Sequence, residues 1–330
     1  MKIILVIMKY DYGIPARGES YEYYNFFCSL KKIGHDVSIF DYMSLMNAHG
    51  KENMNKMLLD TAKKENPDLM VFSLYTDQIE PSTVSSLRTI TKTLCFFHDD
   101  TWRVDFSRYW AGHFDHFTTP DIYGVYKYSK LDMHNALHFP FGANHELYKR
   151  LDVEKIYDVS FVGGWHPYRQ WLVDKIRKSG INVHTFGSGW KNGIVPHEEM
   201  VKIFNQSKIN LNLSNSSNWD ARYLISSPRG LLSRLRSKKT VEQLKARHFE
   251  IAATSSFQLS YYVEGLESYY KIGKEIGIFA DADDLVEKVH YYLEDSELRE
   301  SVANAGYTRT LQEHSFEARF GKVFREIGLI

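Results

Sequence analysis

The sequence predicts an α/β protein built on doubly wound parallel sheets and divided into two domains. Three observations carry this expectation. Short apolar runs of strand length, at residues 3–8, 36–40, 68–74 and 93–97, alternate with stretches of helical spacing. The first run, 3–8, is apolar throughout rather than at every second residue, as in strands covered on both faces. The alternation starts again near Asp158 in a chain of 330 residues, long enough for two cores.

In the first half, the strand at 3–8 leads into a loop, 9–20, that contains Gly13, Pro15, Arg17 and Gly18. Helical spacing follows over 21–33 and stops at Gly34, a residue suited to the left-handed position after a helix. The second strand is expected at 36–40, a helix through 53–64, and the third strand at 68–74. The fourth, 93–97, runs directly into His98-Asp99-Asp100. Polar residues at a strand's carboxyl end are where open α/β sheets place their chemistry. His98 and Asp99 can orient a hydroxyl or take up its proton; alternatively, His98 is a hydrogen-bonded core residue and Asp100 caps the following turn. His113 and His116 lie on opposite sides of an expected strand, which disfavours a shared metal. A helix over 123–136 and a strand at 137–141 complete this half.

The second half opens with a buried strand from Asp158 that ends in Gly163-Gly164, followed by a helix over 165–179 that carries Arg169. Paired glycines before a helix leave backbone N–H groups able to face a phosphate, and they also suit a tight turn. A strand at 181–186 ends in Gly187-Ser188-Gly189-Trp190, where backbone can again approach a ligand. The strand at 208–213 is expected to turn Asn210 and Asn212 outward. Residues 214–240 are polar and contain Arg229, Arg234, Arg236, Lys238 and Lys239, a mobile loop or a grip on an anionic acceptor. Next come Lys245, Arg247 and Glu250 on a short helix, then a strand at 257–260. A carboxylate can accept both ribose hydroxyls while the cations meet a diphosphate; an ordinary Arg–Glu ion pair is the alternative. Helices are expected at 281–294, with apolar Leu285, Val286, Val289, Tyr292 and Leu293 on one face, at 296–313, and at 316–327.

Composition narrows the function. Hydrophobic content of 43% and charged content of 25% are those of a globular protein. Lys plus Arg equals Asp plus Glu, at 41 each, so no global field recruits nucleic acid or membrane. The two cysteines, Cys28 and Cys95, are far apart in apolar surroundings, which suggests buried free thiols in a reducing compartment. The apolar start is too short for a signal peptide and no run of 18 apolar residues occurs, so a cytoplasmic protein is expected. Neither GxGxxG nor GxxxxGK[ST] is present, and His197-Glu198-Glu199 lacks the second histidine of a zinc-protease helix.

One ordered set of motifs is more specific. Arg-His-Phe-Glu-Ile-Ala-Ala (247–253), Tyr-Tyr-Val-Glu-Gly-Leu-Glu-Ser-Tyr-Tyr (261–270), Gly-Lys-Glu-Ile (273–276), Tyr-Tyr-Leu-Glu-Asp-Ser-Glu-Leu-Arg (291–299) and Ala-Asn-Ala-Gly-Tyr (303–307) follow one another. This run resembles the C-terminal signature of the spore-maturation-protein-like glycosyltransferases, a GT-B family related to the family 4 glycosyltransferases. The resemblance implies two Rossmann-like domains facing a cleft: an acceptor-side domain at 1–150 and a nucleotide-sugar domain at 151–314. It implies that residues 315–330 form a helix crossing back to the first domain. The activity implied is metal-independent, retaining transfer from a nucleotide-diphosphate sugar, a UDP- or dTDP-sugar, to an acceptor such as an anionic glycan or polymer, without a cofactor.

On that resemblance His98 and Asp99 are catalytic, and Gly163, Gly164, Arg169, Gly187, Gly189, Lys245, Arg247 and Glu250 hold the donor. Arg17, Gly18 and Glu19 in the first loop, with Asp100, Glu242 and Glu275, are further donor or acceptor contacts. Glu242 and Glu250 keep the E-x7-E spacing of family 4 enzymes, without the glycine-rich turn that follows the first acid. Thr254-Ser255-Ser256 replaces family glycines expected to let backbone approach the donor. A nucleotide-sugar epimerase of the same fold and a non-catalytic sugar- or partner-binding relative are the alternatives.

Overall fold

The computed structural model describes residues 1–214, 219–237, 239 and 242–330. The chain forms two units, Met1–Pro140 with Phe316–Ile330, and Phe141–Ser315.

The strands of the first unit are β1 (Lys2–Ile7), β2 (Asp36–Asp41), β3 (Leu69–Ser73), β4 (Lys92–Phe96), β5 (His116–Thr119) and β6 (Ala136–His138). They lie in the order β2-β1-β3-β4-β5-β6, every neighbouring pair parallel. Its connecting helices are α1 (Cys28–Lys32), entered through a π-helical turn at Tyr23–Phe27, α2 (Tyr42–His49), α3 (Lys51–Glu65), α4 (Pro81–Leu87), α5 (Val104–Ala111) and α6 (Gly124–Ser129). β1 shows why its sequence is apolar at every position. Ile4 and Val6 pack on one face with Phe40, Met70, Phe72, Met54 and Leu58, while Ile3, Leu5 and Ile7 pack on the other with Phe26 and Leu30. α6 is shorter than the helix expected over 123–136, because the chain turns after it and Asp132 takes a φ of 57°.

In the second unit the strands are β7 (Tyr157–Val162), β8 (Val183–Phe186), β9 (Ser207–Asn212), β10 (Gln258–Tyr261) and β11 (Gly277–Phe279). Their order is β11-β10-β9-β7-β8, again wholly parallel. The helices are α7 (Pro167–Lys178), α8 (His197–Gln206), α9 (Ala221–Ser226), α10 (Pro228–Arg236), α11 (Arg247–Ala253), α12 (Ala282–Glu294) and α13 (Ser296–Glu313). Caps fix several starts: the side chains of His166, Asp281 and Asp295 accept first-turn N–H groups of α7, α12 and α13. The core joins Val159, Phe161, Ile209, Leu211 and Leu259 of the sheet to Leu172 and Val173 of α7 and Leu285 and Val289 of α12.

Two expectations for this unit are corrected. Asn210 and Asn212 are buried, not outward, because β9 is an interior strand of the sheet. Asn210 accepts from Ser160 Oγ (3.2 Å) and donates to the carbonyls of Phe204 and Phe257 (3.0 and 3.2 Å). The expected loop at 214–240 instead carries α9 and α10, started by the side chains of Asp220 and Ser227 with Pro228 in the first turn. Lys238, counted in that basic stretch, lies outside the described residues.

The last helix, α14 (Phe316–Glu326), belongs to the first unit. Its Phe316, Phe320, Val323 and Phe324 cover the Ile3–Leu5–Ile7 face, and Lys92 Nζ donates to the Ile327 carbonyl at 2.7 Å. The division falls between Pro140 and Phe141 rather than at 150/151. Residues 141–150 are tied to the second unit by Ala143 N donating to His314 O (2.9 Å) and Tyr148 Oη donating to Glu250 (2.9 Å). No described helix is long and apolar enough to cross a membrane.

Candidate functional site

In the second unit, the carboxyl ends of β7 and β8 give rise to two glycine loops that are bonded to each other. Gly163 N donates to Phe186 O (2.9 Å), Trp165 N to Ser188 O (2.8 Å) and Gly187 N to Gly193 O (2.6 Å). The Trp190 indole N–H donates to Gly163 O (2.8 Å). Gly187 and Gly189 have φ of 123° and 82°, and a Cβ on Gly187 would stand 2.3 Å from Gly163 O. Glycine is therefore needed here for loop-to-loop contact. The N–H of Gly163, expected to be open to a phosphate, and that of Gly187, where backbone was expected to approach a ligand, are both used inside the protein.

Arg169, in the first turn of α7, folds back on these loops. Its Nη1 donates to Gly164 O (2.8 Å), and the guanidinium lies 5.6 Å from the Phe161 ring centroid. Its Nε is buried without a hydrogen-bond partner. Burial, with the nearby Arg247 adding to it and Glu242 opposing it, pushes its pKa down to about 10. With its buried Nε unpartnered, this guanidinium has a donor to offer an anion.

α11 supplies that second cation and the buried acid. Glu250 is buried, with Oε2 accepting from Arg247 Nη1 (2.7 Å) and Oε1 from Tyr148 Oη (2.9 Å). Arg247 also reaches Met200 Sδ (3.0 Å) and lies 5.0 Å from the Phe204 ring centroid, on α8. His197 packs edge-on to Tyr148 at 4.8 Å. Burial lowers the His197 pKa, with Glu250 opposing and Arg247 reinforcing that shift. Behind this cluster His248 is fully buried, its Nε2 3.1 Å from Ser260 Oγ and its Nδ1 3.0 Å from Lys245 O. Lys245 lies half-buried just before α11. Tyr148 and His197 could not be picked out from sequence, since one lies in a connecting segment and the other begins a helix remote in the chain.

Thr254-Ser255-Ser256 is not on this side of the sheet. It directly precedes β10, and all strands run parallel, so it lies at the edge opposite the loops that follow β7 and β8. Ser255 adopts the left-handed conformation, φ 55°, and its Oγ donates to Asn304 Oδ1 (3.0 Å). Glu275 is also remote from the cluster in role: its carboxylate accepts Lys271 N (2.8 Å) and closes the turn before β11.

The first unit has its own polar cluster at the carboxyl ends of β3 and β4. His98 Nε2 lies 2.8 Å from Glu22 Oε1 and 3.0 Å from Ser73 Oγ, and Ser73 Oγ donates to the same Glu22 oxygen at 2.6 Å. Burial alone would raise the Glu22 pKa; the His98 hydrogen bond and charge, with Ser73, outweigh it and hold the carboxyl below its usual value. Rings of Phe96, Tyr21 and Phe26 enclose His98 at 4.6, 5.5 and 6.3 Å. Glu22 was not legible as a partner, being an acid one residue ahead of a π-helical turn in an aromatic stretch.

The remaining predicted residues of this unit are placed as follows. The Asp99 carbonyl accepts from Trp102 N and Arg103 N, at 3.3 and 2.9 Å. Asp100 is buried against Tyr128, whose hydroxyl donates to it at 3.2 Å, and burial pushes its pKa up to about 6. Arg17 pairs with Asp11 (2.8 Å) and lies 4.8 Å from the Tyr12 ring centroid. Glu19 accepts from Tyr24 Oη (3.0 Å), and Gly18, φ 85°, has open space around it. Among the described residues, no three His, Cys, Asp or Glu side chains gather as they would around a metal.

Comparison with known proteins follows this geometry. Residues 169–325 match a family described as glycosyl transferase-like. No curated protein matches the chain by sequence. Among solved structures, sucrose-phosphate synthase from Thermosynechococcus elongatus is similar with a TM-score of 0.67 at 10% identity, covering 99% of each chain. Anabaena HepE, solved in complex with UDP-glucose, is similar with a TM-score of 0.67 at 10% identity over 100% of each chain. AviGT4, a glycosyltransferase involved in avilamycin A biosynthesis, has a TM-score of 0.61 at 11% identity, covering 98% of this chain and 96% of its own. The two parallel-sheet units have the GT-B arrangement of strands and helices, so the chain has a GT-B fold whose residues 169–325 are glycosyl transferase-like.

Proposed function

We propose that the chain moves a sugar from a UDP- or dTDP-sugar to an anionic glycan or polymer, with the donor on the second unit. The ordered motifs at 247–307 support assigning it to the spore-maturation-protein-like branch of GT-B enzymes. The observation that carries the reading is Arg169: a guanidinium with a buried, unpartnered Nε, near Arg247, at the carboxyl end of a parallel sheet. A diphosphate would accept from that Nε, and Arg169, Arg247 and Lys245 would stabilise the negative charge that develops as the sugar–phosphate bond breaks. Glu250, already ordered by Arg247 and Tyr148, would accept the ribose hydroxyls. UDP and UDP-glucose bound to HepE, a structure of the same fold, favour a uridine nucleotide.

On the first unit, His98 would handle a sugar or acceptor hydroxyl, and Glu22 would be its positioning residue by holding the Nε2 proton. Retention of configuration and independence from a divalent cation complete the proposal. The stereochemistry of the product and assays with chelator address those two points directly.

A thermal-shift panel of UDP, dTDP, GDP and CMP, followed by UDP-sugar hydrolysis, tests the function. Uridine or thymidine diphosphate should raise the unfolding temperature. His98→Ala should slow turnover by about 100-fold or more while leaving nucleotide affinity as in the parent, and Glu22→Gln should slow it less. The absence of any nucleotide-dependent shift would overturn the proposal.

A further inference from the structure

We propose that Asn212 and Ser214 hold hydroxyl groups of the transferred sugar and so select among nucleotide sugars, a role that rests on the donor reading of the second unit. β9 occupies the centre of its sheet, between β10 and β7. The chain passes from β7 outward to β8 and then returns to the other side of β7 as β9, so the strand order reverses between β7 and β9. Open parallel sheets bind ligands at the carboxyl ends of the strands that flank such a reversal. Gly163-Gly164 follows β7 on one side of it, with Arg169 bonded to Gly164 O. Asn212 ends β9 on the other side, and Ser214 lies just beyond.

Asn210 provides the internal comparison. The two asparagines stand two residues apart on one face of β9, and both are buried, at 1% and 3% exposure. The Asn210 amide is used inside the protein, accepting from Ser160 Oγ and donating to the carbonyls of Phe204 and Phe257. Asn212 Nδ2, by contrast, is buried without a hydrogen-bond partner, and so is Ser214 Oγ, on a residue 5% exposed. A buried polar atom left unpaired is a standing cost to the fold. Two of them beside the strand reversal mark a place where a ligand completes the bonding. Asn212 is in register with Ser260 of β10, whose Oγ meets His248 Nε2 at 3.1 Å. That face of β9 therefore looks towards α11, the helix of Arg247 and Glu250.

The residue types choose the part of the donor. An amide and a hydroxyl are neutral, and a phosphate entering between them would lose water without gaining an opposite charge. The phosphates are better met by Arg169 and Arg247. A sugar hydroxyl is neutral, accepts from Asn212 Nδ2 and can donate to Ser214 Oγ, which satisfies both atoms. A site built to bond a hydroxyl rejects ligands that lack it, because its buried groups are then left unpaired.

Calorimetric titration of the full chain tests this with UDP, UDP-glucose, UDP-galactose and UDP-N-acetylglucosamine, comparing the parent with Asn212→Ala and Ser214→Ala. UDP should bind all three proteins alike, within about twofold. The UDP-sugar that the parent binds tightest should be weakened about tenfold in Asn212→Ala and about fivefold in Ser214→Ala. The unfolding temperature of Ser214→Ala should match the parent's, since the oxygen removed bonds nothing in the protein; this smaller change carries the test if Asn212→Ala does not fold. UDP weakened as much as the UDP-sugar would overturn the assignment and leave the donor reading standing. So would parent-like UDP-sugar affinity in both variants, the result if a water satisfies these atoms. A parent that binds neither UDP nor a UDP-sugar would overturn the donor reading, and this assignment with it.

Discussion

His248 shows how one buried side chain sets a pH response. It is enclosed behind Glu250, and burial pushes its pKa from 6.5 down to about 4, so it folds as the neutral imidazole. The unfolded chain takes up this proton near pH 6.5 and the folded chain does not until about pH 4. Its neutral form therefore costs nothing above pH 6.5, and stability falls as pH drops from 6.5 towards 4, by on the order of 3 kcal/mol. In urea unfolding, His248→Gln should be less stable at pH 7, since the bonds to Ser260 and Lys245 change, but should lose less stability between pH 6.5 and 4. An unchanged slope would show that other groups control the acid response. Arg169 carries the opposite kind of burial, a charge kept charged. Its Nη1 donates to Gly164 O and its buried Nε has no partner, an arrangement that an anion would complete.

At the scale of elements, α13 and the turn before β11 meet at one glycine. A Cβ on Gly306 would stand 2.3 Å from the Glu275 carbonyl oxygen, and backbone on both sides leaves little room to give. Gly306→Ala improves helix propensity by up to about 1 kcal/mol yet should destabilise the second unit by about 1–3 kcal/mol through overpacking. Thermal unfolding decides between the two effects, and a net gain in stability would contradict the contact. The same element explains what sequence could reveal. β1, α12, α13 and α14 were legible because continuous apolar runs and helical stripes report burial directly. α9 and α10 were not, since a polar, cationic composition outweighed the Asp220 and Ser227-Pro228 starting signals. Glu250 and Arg247 could be named from their motif, but their mutual bond and Tyr148 depend on chain remote from α11. Serine at 255 suggested an impaired donor site, whereas parallel topology puts that turn at the other edge of the sheet.

Across the whole molecule, each unit gathers its polar cluster at the carboxyl ends of its own parallel strands, where side chains can leave the sheet without breaking the ladder. In the first unit the cluster is Glu22, Ser73 and His98; in the second it is Arg169, Arg247 and Glu250 with Tyr148. The glycosyl transferase-like match covers 169–325 and so includes Arg169, Arg247 and Glu250 of the second cluster but not Tyr148. Calorimetric titration of UDP into the parent, Glu250→Ala and Arg169→Gln tests the central claim most directly. The account predicts saturable binding by the parent and affinity weakened by about 1–3 kcal/mol in each variant, the scale of a lost charged hydrogen bond. Parent-like affinity in both variants, or no binding by the parent, would contradict it.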